Sequence, residues 1–273
     1  MRKLTAVFLL IVGRPLLSFA WGTEGHQVVA DIARAHLTET TRRHIRELLG
    51  TDDLASIATW ADDLRSQRPE TFGWHFVDIP MNSSGFLESR DCYRPDEKHP
   101  QSLEDHHNCV VDRISMFQSG LADGNAPAGQ RVEALKFLVH FVGDLHQPLH
   151  AIEEARGGND IHVVEFGSPR CGTRPCNLHF VWDVGLIEHS GRNEVAYVAH
   201  SEKQISKKKL GNKAHGSPAE WANESHNLAH QVWLNEGGQA DEAYYKKNIE
   251  IVDERLALGG LRLAALLNQC LGK

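Results

Sequence analysis

Apolar positions along most of the chain recur at a helical period. Val28, Val29, Ile32, Ala33 and Leu37, then Ile45, Leu48 and Leu49, predict helix over 24–49, with Gly50 as the stop. Leu54, Ile57, Ala58 and Leu64 predict a second, shorter helix within 51–66. The pattern returns over 103–120 and 129–147, and from 178 onward in PAEWANESHNLAHQVW and the terminal ERLALGGLRLAALLNQCL. Segment 80–101, rich in Pro, Ser, Asp and Arg, reads as a long loop. Only IHVVEFG, 161–167, reads as a strand, and it is expected to pair in a small hairpin near Cys171 and Cys176. The pattern therefore predicts a mainly α protein: a single helical domain with a small β-hairpin insert, without repeat or linker.

One apolar stretch is of another kind. Arg2 and Lys3 precede TAVFLLIVG, and Ser18-Phe19-Ala20 offers a small-x-small cleavage site, so residues 1–20 read as a signal peptide and the mature chain as 21–273. Arg14 interrupts the run, which is short for a membrane span. The expectation is an exported protein, periplasmic or secreted, with no stable membrane association. The five cysteines suit an oxidising compartment. Cys92 with Cys109 and Cys171 with Cys176 are the expected pairs, leaving Cys270 free, although five cysteines admit other pairings. No two sit at a CxxC spacing, which disfavours a cysteine zinc site.

Charge narrows the function. Without Arg2, Lys3 and Arg14, 26 basic residues face 36 acidic ones, a net charge of −10. A broad basic surface that grips duplex DNA is excluded, and an anionic substrate would need positive charge supplied locally.

The source of that charge is suggested by FLVHFVGDLHQPLH, 137–150. His140 and Asp144 stand four apart, one turn along one helix face, and Pro148 turns the chain before His150. NLHFVWD repeats the spacing with His179 and Asp183, while ATWADDLR holds Asp62, FGWHFVD holds His75 and WGTEGHQVV holds His26. Such groups are costly to bury alone, by about 2–7 kcal/mol for an unpartnered polar group. Five histidines and three aspartates in apolar surroundings are too many ligands for one ion and enough for three with one carboxylate shared. A single buried histidine is more often hydrogen-bonded structure, and Asp62 could simply pair with Arg65. His36, His44, His189, His200 and His215 read as solvated surface, and His99, His106 and His107 belong to the polar loop. His226 and His230 are four apart without an aspartate on their face, and His146 points away from the 140/144 face.

Taken in order, these residues resemble a known family. Trp21-Gly22 with His26, Trp60-Ala61-Asp62, His75-Phe76-Val77-Asp78, VHFVGDLHQPLH, Gly157-Gly158-Asn159, NLHFVWD, WANES and GGLRLAALLN are similar to the zinc-dependent, single-strand-specific nucleases of the S1/P1 family. The resemblance implies a helical domain around three Zn2+ ions. One would take Asp62, His75, His140 and Asp144. A second would take His150, His179 and Asp183, and the third His26, Asp144 and the amino and carbonyl groups of Trp21. It also implies a phosphate contact at Arg65, base stacking on Phe76, and a base-edge or nucleophile-assisting role for Asp78. The implied activity is hydrolysis of single-stranded DNA or RNA to 5′-phosphate products, with 3′-nucleotidase activity, by a monomer needing no protein partner. After Asp183 the chain reads Val-Gly-Leu, without the polar base contact some relatives carry there. A zinc phospholipase C acting on phospholipid head groups shares the expected chemistry, and a non-catalytic zinc-binding protein would share the ligands alone. Asn82-Ser83-Ser84 and Asn223-Glu224-Ser225 match glycosylation sequons, a pattern short enough to occur by chance.

Overall fold

The computed structural model describes residues 21–93 and 107–273. The leader and part of the 80–101 loop lie outside the described residues, as do His99 and His106. The helical run expected over 24–49 is two helices, α1 (Thr23–Ala35) and α2 (Glu39–Leu49). They are divided because the Thr38 hydroxyl accepts from the Thr41 N–H and starts a new helix, a local competition that apolar spacing does not register. Gly50 ends α2 at φ 78°. The short helix expected over 51–66 is a 3-10 turn at Ala55–Ile57 followed by α3 (Trp60–Leu64). A further 3-10 element, Pro69–His75, and the single turn α4 (Glu88–Asp91) precede α5 (Val110–Ala122) and α6 (Ala128–His146).

From Ala134 onward α6 is almost wholly buried, which is why it reads as apolar all round. After α6 come a 3-10 turn at Pro148–Ala151, the turn α7 (Ala155–Gly158), and the strands β1 (Val163–Glu165), β2 (Arg170–Cys171) and β3 (Arg174–Pro175). The turn α8 (Leu178–Phe180), a π-helical turn at Val181–Gly185, and α9 (Leu186–His189) follow. The chain ends with α10 (Glu194–Lys208), α11 (Pro218–Val232), β4 (Gly238–Ala240) and α12 (Glu242–Leu271). The long α12 packs on α1, α6 and α10, so the first and last helices close one core around α6.

The strand expectation is corrected in part. An antiparallel hairpin of β2 with β3 exists, and the 161–167 segment pairs antiparallel beside it only through isolated bridges, His162 with Asn177 and Glu165 with Ser168. The ladder of the apolar strand β1 is with β4, in parallel and seventy-five residues on, with Val163 opposite Gly238. Gly238–Ala240 is too short to announce itself as a strand. Both expected disulfides form, Cys92–Cys109 and Cys171–Cys176, and Cys270 is a free, buried thiol. Among the described residues no helix is long and apolar enough to cross a membrane.

Candidate metal centre and cleft

The candidate donors are gathered from several elements. His140 and Asp144 face one way from buried α6, and Asp62 enters from α3. His75 closes the 3-10 element, whose last residue turns to extended backbone at Phe76. Extended Gln147 precedes Pro148, as proline demands, and the 3-10 turn it begins carries His150 inward. His179 and Asp183 straddle the junction of α8 and the π-helical turn, a backbone irregularity common at functional sites. His26 comes from α1, where Gly143 leaves room for it: a Cβ there would meet His26 Nδ1 at 2.9 Å. The His26 ring therefore stacks on His140, with centroids 3.9 Å apart.

All eight residues are buried, none more than 7% exposed. His75 Nδ1 lies 3.1 Å from His140 Nε2 and 3.0 Å from Asp144 Oδ2, and His140 Nε2 lies 3.3 Å from the same oxygen. Asp62 Oδ1 is 3.7 Å from His75 Nδ1 and 3.6 Å from His140 Nε2. The other oxygen of Asp144 faces His26 Nε2 at 3.3 Å, so this carboxylate joins two groups. In a separate group, Asp183 Oδ2 lies 3.3 Å from His179 Nε2, and Asp183 Oδ1 3.9 Å from His150 Nε2.

These spacings fit the ligands of a divalent cation. The edge of a tetrahedron of ligands around zinc is about 3.4 Å, near the observed separations. The ring orientations agree. Nδ1–H of His140 donates to Ala58 O at 2.7 Å, that of His150 to His75 O at 2.8 Å, and that of His179 to Gly157 O at 2.7 Å. Each Nε2 lone pair is thereby aimed at the cluster, an arrangement typical of metal-binding imidazoles. His26 Nε2, Asp144 Oδ1 and His150 Nε2 are buried without a hydrogen-bond partner, a cost that a cation would remove.

Without a cation, the electrostatics keep four of the five rings neutral and make His140 the exception. Burial pulls the pKa of His75 down to about 4, of His150 to about 3 and of His179 to about 4. Burial also lowers His26, with nearby His140 adding to the effect, and raises Asp62. His140 behaves oppositely: burial opposes its charge, but Asp144 and Asp62 prevail and push it up to about 9. Asp144 is held well below the usual carboxylate range, because His140 outweighs its burial.

A cleft of about 520 Å³ opens beside the cluster, lined by Arg65, His75, Phe76, Asp78, His150 and His179 among others. Val77 N–H donates to His150 O and Val110 N–H to Phe76 O, so the chain leaving His75 is pinned on both sides, and Ile79 N–H then turns back to Val77 O around Asp78. Val77 and Ile79 are buried, and Phe76 and Asp78 line the cleft. Arg65 Nη2 stands 2.7 Å from Asp62 Oδ1, so the ion pair and the cleft position coexist. Trp21 is fully buried, and the adjoining Gly22 N–H donates to Asp183 O at 2.7 Å, which ties the start of α1 to the His179/Asp183 group.

The family is decided by comparison along the whole described fold. A model of the S1/P1 nuclease family matches residues 21–272. The chain belongs to the S1/P1 nuclease family. It is an endonuclease-type hydrolase acting on nucleic acid. Endonuclease 1 of Arabidopsis thaliana is 32% identical over 279 residues, covering 92% of this chain and 87% of its own. Nuclease S1 of Aspergillus oryzae is 28% identical over 284 residues, covering 92% of each chain, and Nuclease P1 of Penicillium citrinum 27% over 283, covering 92% and 98%.

Several readings of this nuclease's other residues change. His44 and His200 are not simply solvated: His44 Nδ1–H donates to Leu271 O, and His200 Nε2–H to Asp253 Oδ2 at 2.8 Å. His146 does point away from the cluster, where its Nε2 accepts from Arg262. Asn223 of the second sequon is engaged, its Oδ1 accepting from Phe86 N–H at 2.7 Å. Sequence reasoning missed Gln147, whose amide donates to Asp183 Oδ1 at 2.7 Å and whose oxygen accepts from Leu149 N–H. Its position between His146 and Pro148 was the available signal. Gly157, part of the Gly157-Gly158-Asn159 motif to which sequence reasoning assigned no role, is held at φ +64°, where a Cβ would collide with Leu149 O and press on His179 Nδ1 at 3.3 Å.

Proposed function

We propose that the mature chain, 21–273, is an exported zinc-dependent nuclease that hydrolyses single-stranded DNA or RNA to 5′-phosphate products and releases phosphate from 3′-nucleotides. The observation that carries the reading is the sharing of Asp144 between two donor groups, one of which reaches through His75 a cleft that bears Phe76 and Asp78. The proposed ligands are Asp62, His75, His140 and Asp144 for one ion, and His150, His179 and Asp183 for another. His26, Asp144 and the amino and carbonyl groups of Trp21 complete a set for three. Zinc, when bound, supplies Lewis acidity toward a phosphoryl oxygen and lowers the pKa of water.

The chain's own residues do the rest. Arg65 has more N–H donors than one carboxylate oxygen uses, so its guanidinium can hold Asp62 and a phosphate together. The Phe76 ring offers a flat face to an unpaired base, which a duplex would keep inside its stack. Asp78, two residues on and lining the same cleft, accepts from amino or imino groups on that base's edge, or orients water. The Trp21 amino group is available only once the leader is removed, and near its ordinary pKa of about 8 it gives up its proton readily to a metal.

Two preparations test this, one beginning at Trp21 and one with an added residue before it. Zinc per chain and turnover of single-stranded DNA, duplex DNA, RNA and a 3′-nucleotide are measured for each. The expected result is about three zincs and single-strand-selective cleavage in the first, with metal and activity reduced in the second. Failure to cleave any nucleic acid, with release of phosphocholine from phospholipid, would replace the nuclease reading by the phospholipase one.

A further inference from the structure

We propose that Phe72 is a second base-stacking platform, which binds the base next to the one on Phe76 and makes oligonucleotides better substrates than 3′-mononucleotides. The inference rests on the single-strand reading above and extends it to the length of strand the site engages.

In the 3-10 element PETFGWH, three residues make a turn, so Phe72 and His75 share a face. That face is the cleft: Phe72, His75 and Phe76 all line it. The opposite face anchors the turn. Trp74 is buried with the Arg113 guanidinium 3.7 Å over its ring, Thr71 is buried, and Gly73 packs directly on the Asn108 side chain. Phe72 is consequently displayed from a fixed backbone, with 58% of its surface exposed.

An isolated exposed phenylalanine would mean little. This one meets Phe76 edge to face, with centroids 5.7 Å apart and planes at 78°. Bases lying flat on the two rings must turn by nearly a right angle from one to the next. Successive bases in a duplex are parallel and cannot do so, whereas a single strand can splay its bases onto aromatic faces. The pair of rings therefore selects against stacked strands twice, once by requiring an unpaired base on Phe76 and again by requiring its neighbour to unstack. A 3′-mononucleotide has no second base and draws nothing from Phe72.

The test compares the wild type, Phe72→Ala and Phe72→Trp. The readouts are the ratio of kcat/KM for oligothymidylate to that for 3′-thymidylate, and the Kd for an uncleavable phosphorodithioate-linked oligothymidylate by fluorescence anisotropy. Loss of one base stack should lower the ratio and weaken binding about tenfold in Phe72→Ala, with both restored in Phe72→Trp. An unchanged ratio and Kd in Phe72→Ala, or equal losses in Phe72→Trp, would overturn the proposal while leaving the nuclease reading intact. A wild type that turns over neither substrate would remove that reading and this inference together.

Discussion

Gln147 Nε2 donates to Asp183 Oδ1 at 2.7 Å, although the two residues lie on different elements and 36 positions apart. The contact turns the second oxygen of Asp183 toward His179, 3.3 Å away, and the Gln147 oxygen is itself held by Leu149 N–H. An amide with both ends engaged fixes a carboxylate in rotation, and groups that orient metal ligands in this way are worth about 10–100-fold in affinity. Gln147→Ala should therefore weaken metal binding by that factor at the His150/His179/Asp183 group while the Asp144 groups hold their ions. Zinc release during chelator titration would show one early step; a uniform titration would contradict the assignment.

Asp144 joins the His75/His140 group to His26 through its two oxygens. Asp144→Asn should cost the protein both ions proposed there and abolish cleavage, while zinc at His150, His179 and Asp183 stays. Zinc per chain by elemental analysis distinguishes this from general unfolding.

Gly157 gives the same group a backbone test. Its carbonyl accepts from His179 Nδ1–H, and its φ of +64° and the Leu149 carbonyl leave no room for a methyl group. Gly157→Ala should misalign His179, with loss of zinc at that group and of activity, and a fall in melting temperature from strain at positive φ. Normal zinc content would show that the loop relaxes without moving the ring.

The pH dependence of the metal-free protein follows from the buried rings. Unfolded imidazoles have a pKa near 6.5. Burial brings His75 to about 4, His150 to about 3 and His179 to about 4, so between these values and about 6.5 the unfolded chain binds more protons. Their stability contribution is present above about 6.5 and is lost as pH falls through the folded values. His140, raised to about 9 against its burial by Asp144 and Asp62, runs the other way: its contribution is complete below about 6.5 and is lost as pH rises through about 9. Urea unfolding of chelator-treated protein from pH 4 to 10 should show declining stability at both ends. A monotonic profile would contradict the opposed shifts.

The Cys92–Cys109 bridge closes a loop with a sequence separation of 17, worth about 3 kcal/mol by chain entropy. It also holds Val110, whose N–H donates to Phe76 O. Replacing both cysteines with alanine should lower thermal stability and raise KM for single-stranded substrate more than it lowers kcat. Equal effects on KM and kcat would place the damage at the metal groups instead.

Helix α6 could be read directly from the chain, and so could the pairing of His140 with Asp144 and of His179 with Asp183 at a four-residue spacing. These are local facts, since one turn of helix brings the fourth residue onto the same face whatever else the chain does. The split between α1 and α2 was equally local but lay in a hydroxyl cap rather than in apolar spacing. The partner of β1 was not local, because β4 takes its identity from the strand it pairs with. The same division runs through the site. Residue type and spacing determined which side chains could donate to a cation. Tertiary packing alone decided that Asp144 would face two groups, that a carbonyl from another element would orient His140, His150 and His179, and that Gln147 would hold Asp183. It also decided that Phe72 would stand against Phe76 at the cleft. Each of those relations depends on where a second element's backbone comes to rest, and that is set by the closing of α1, α6 and α12 into one core.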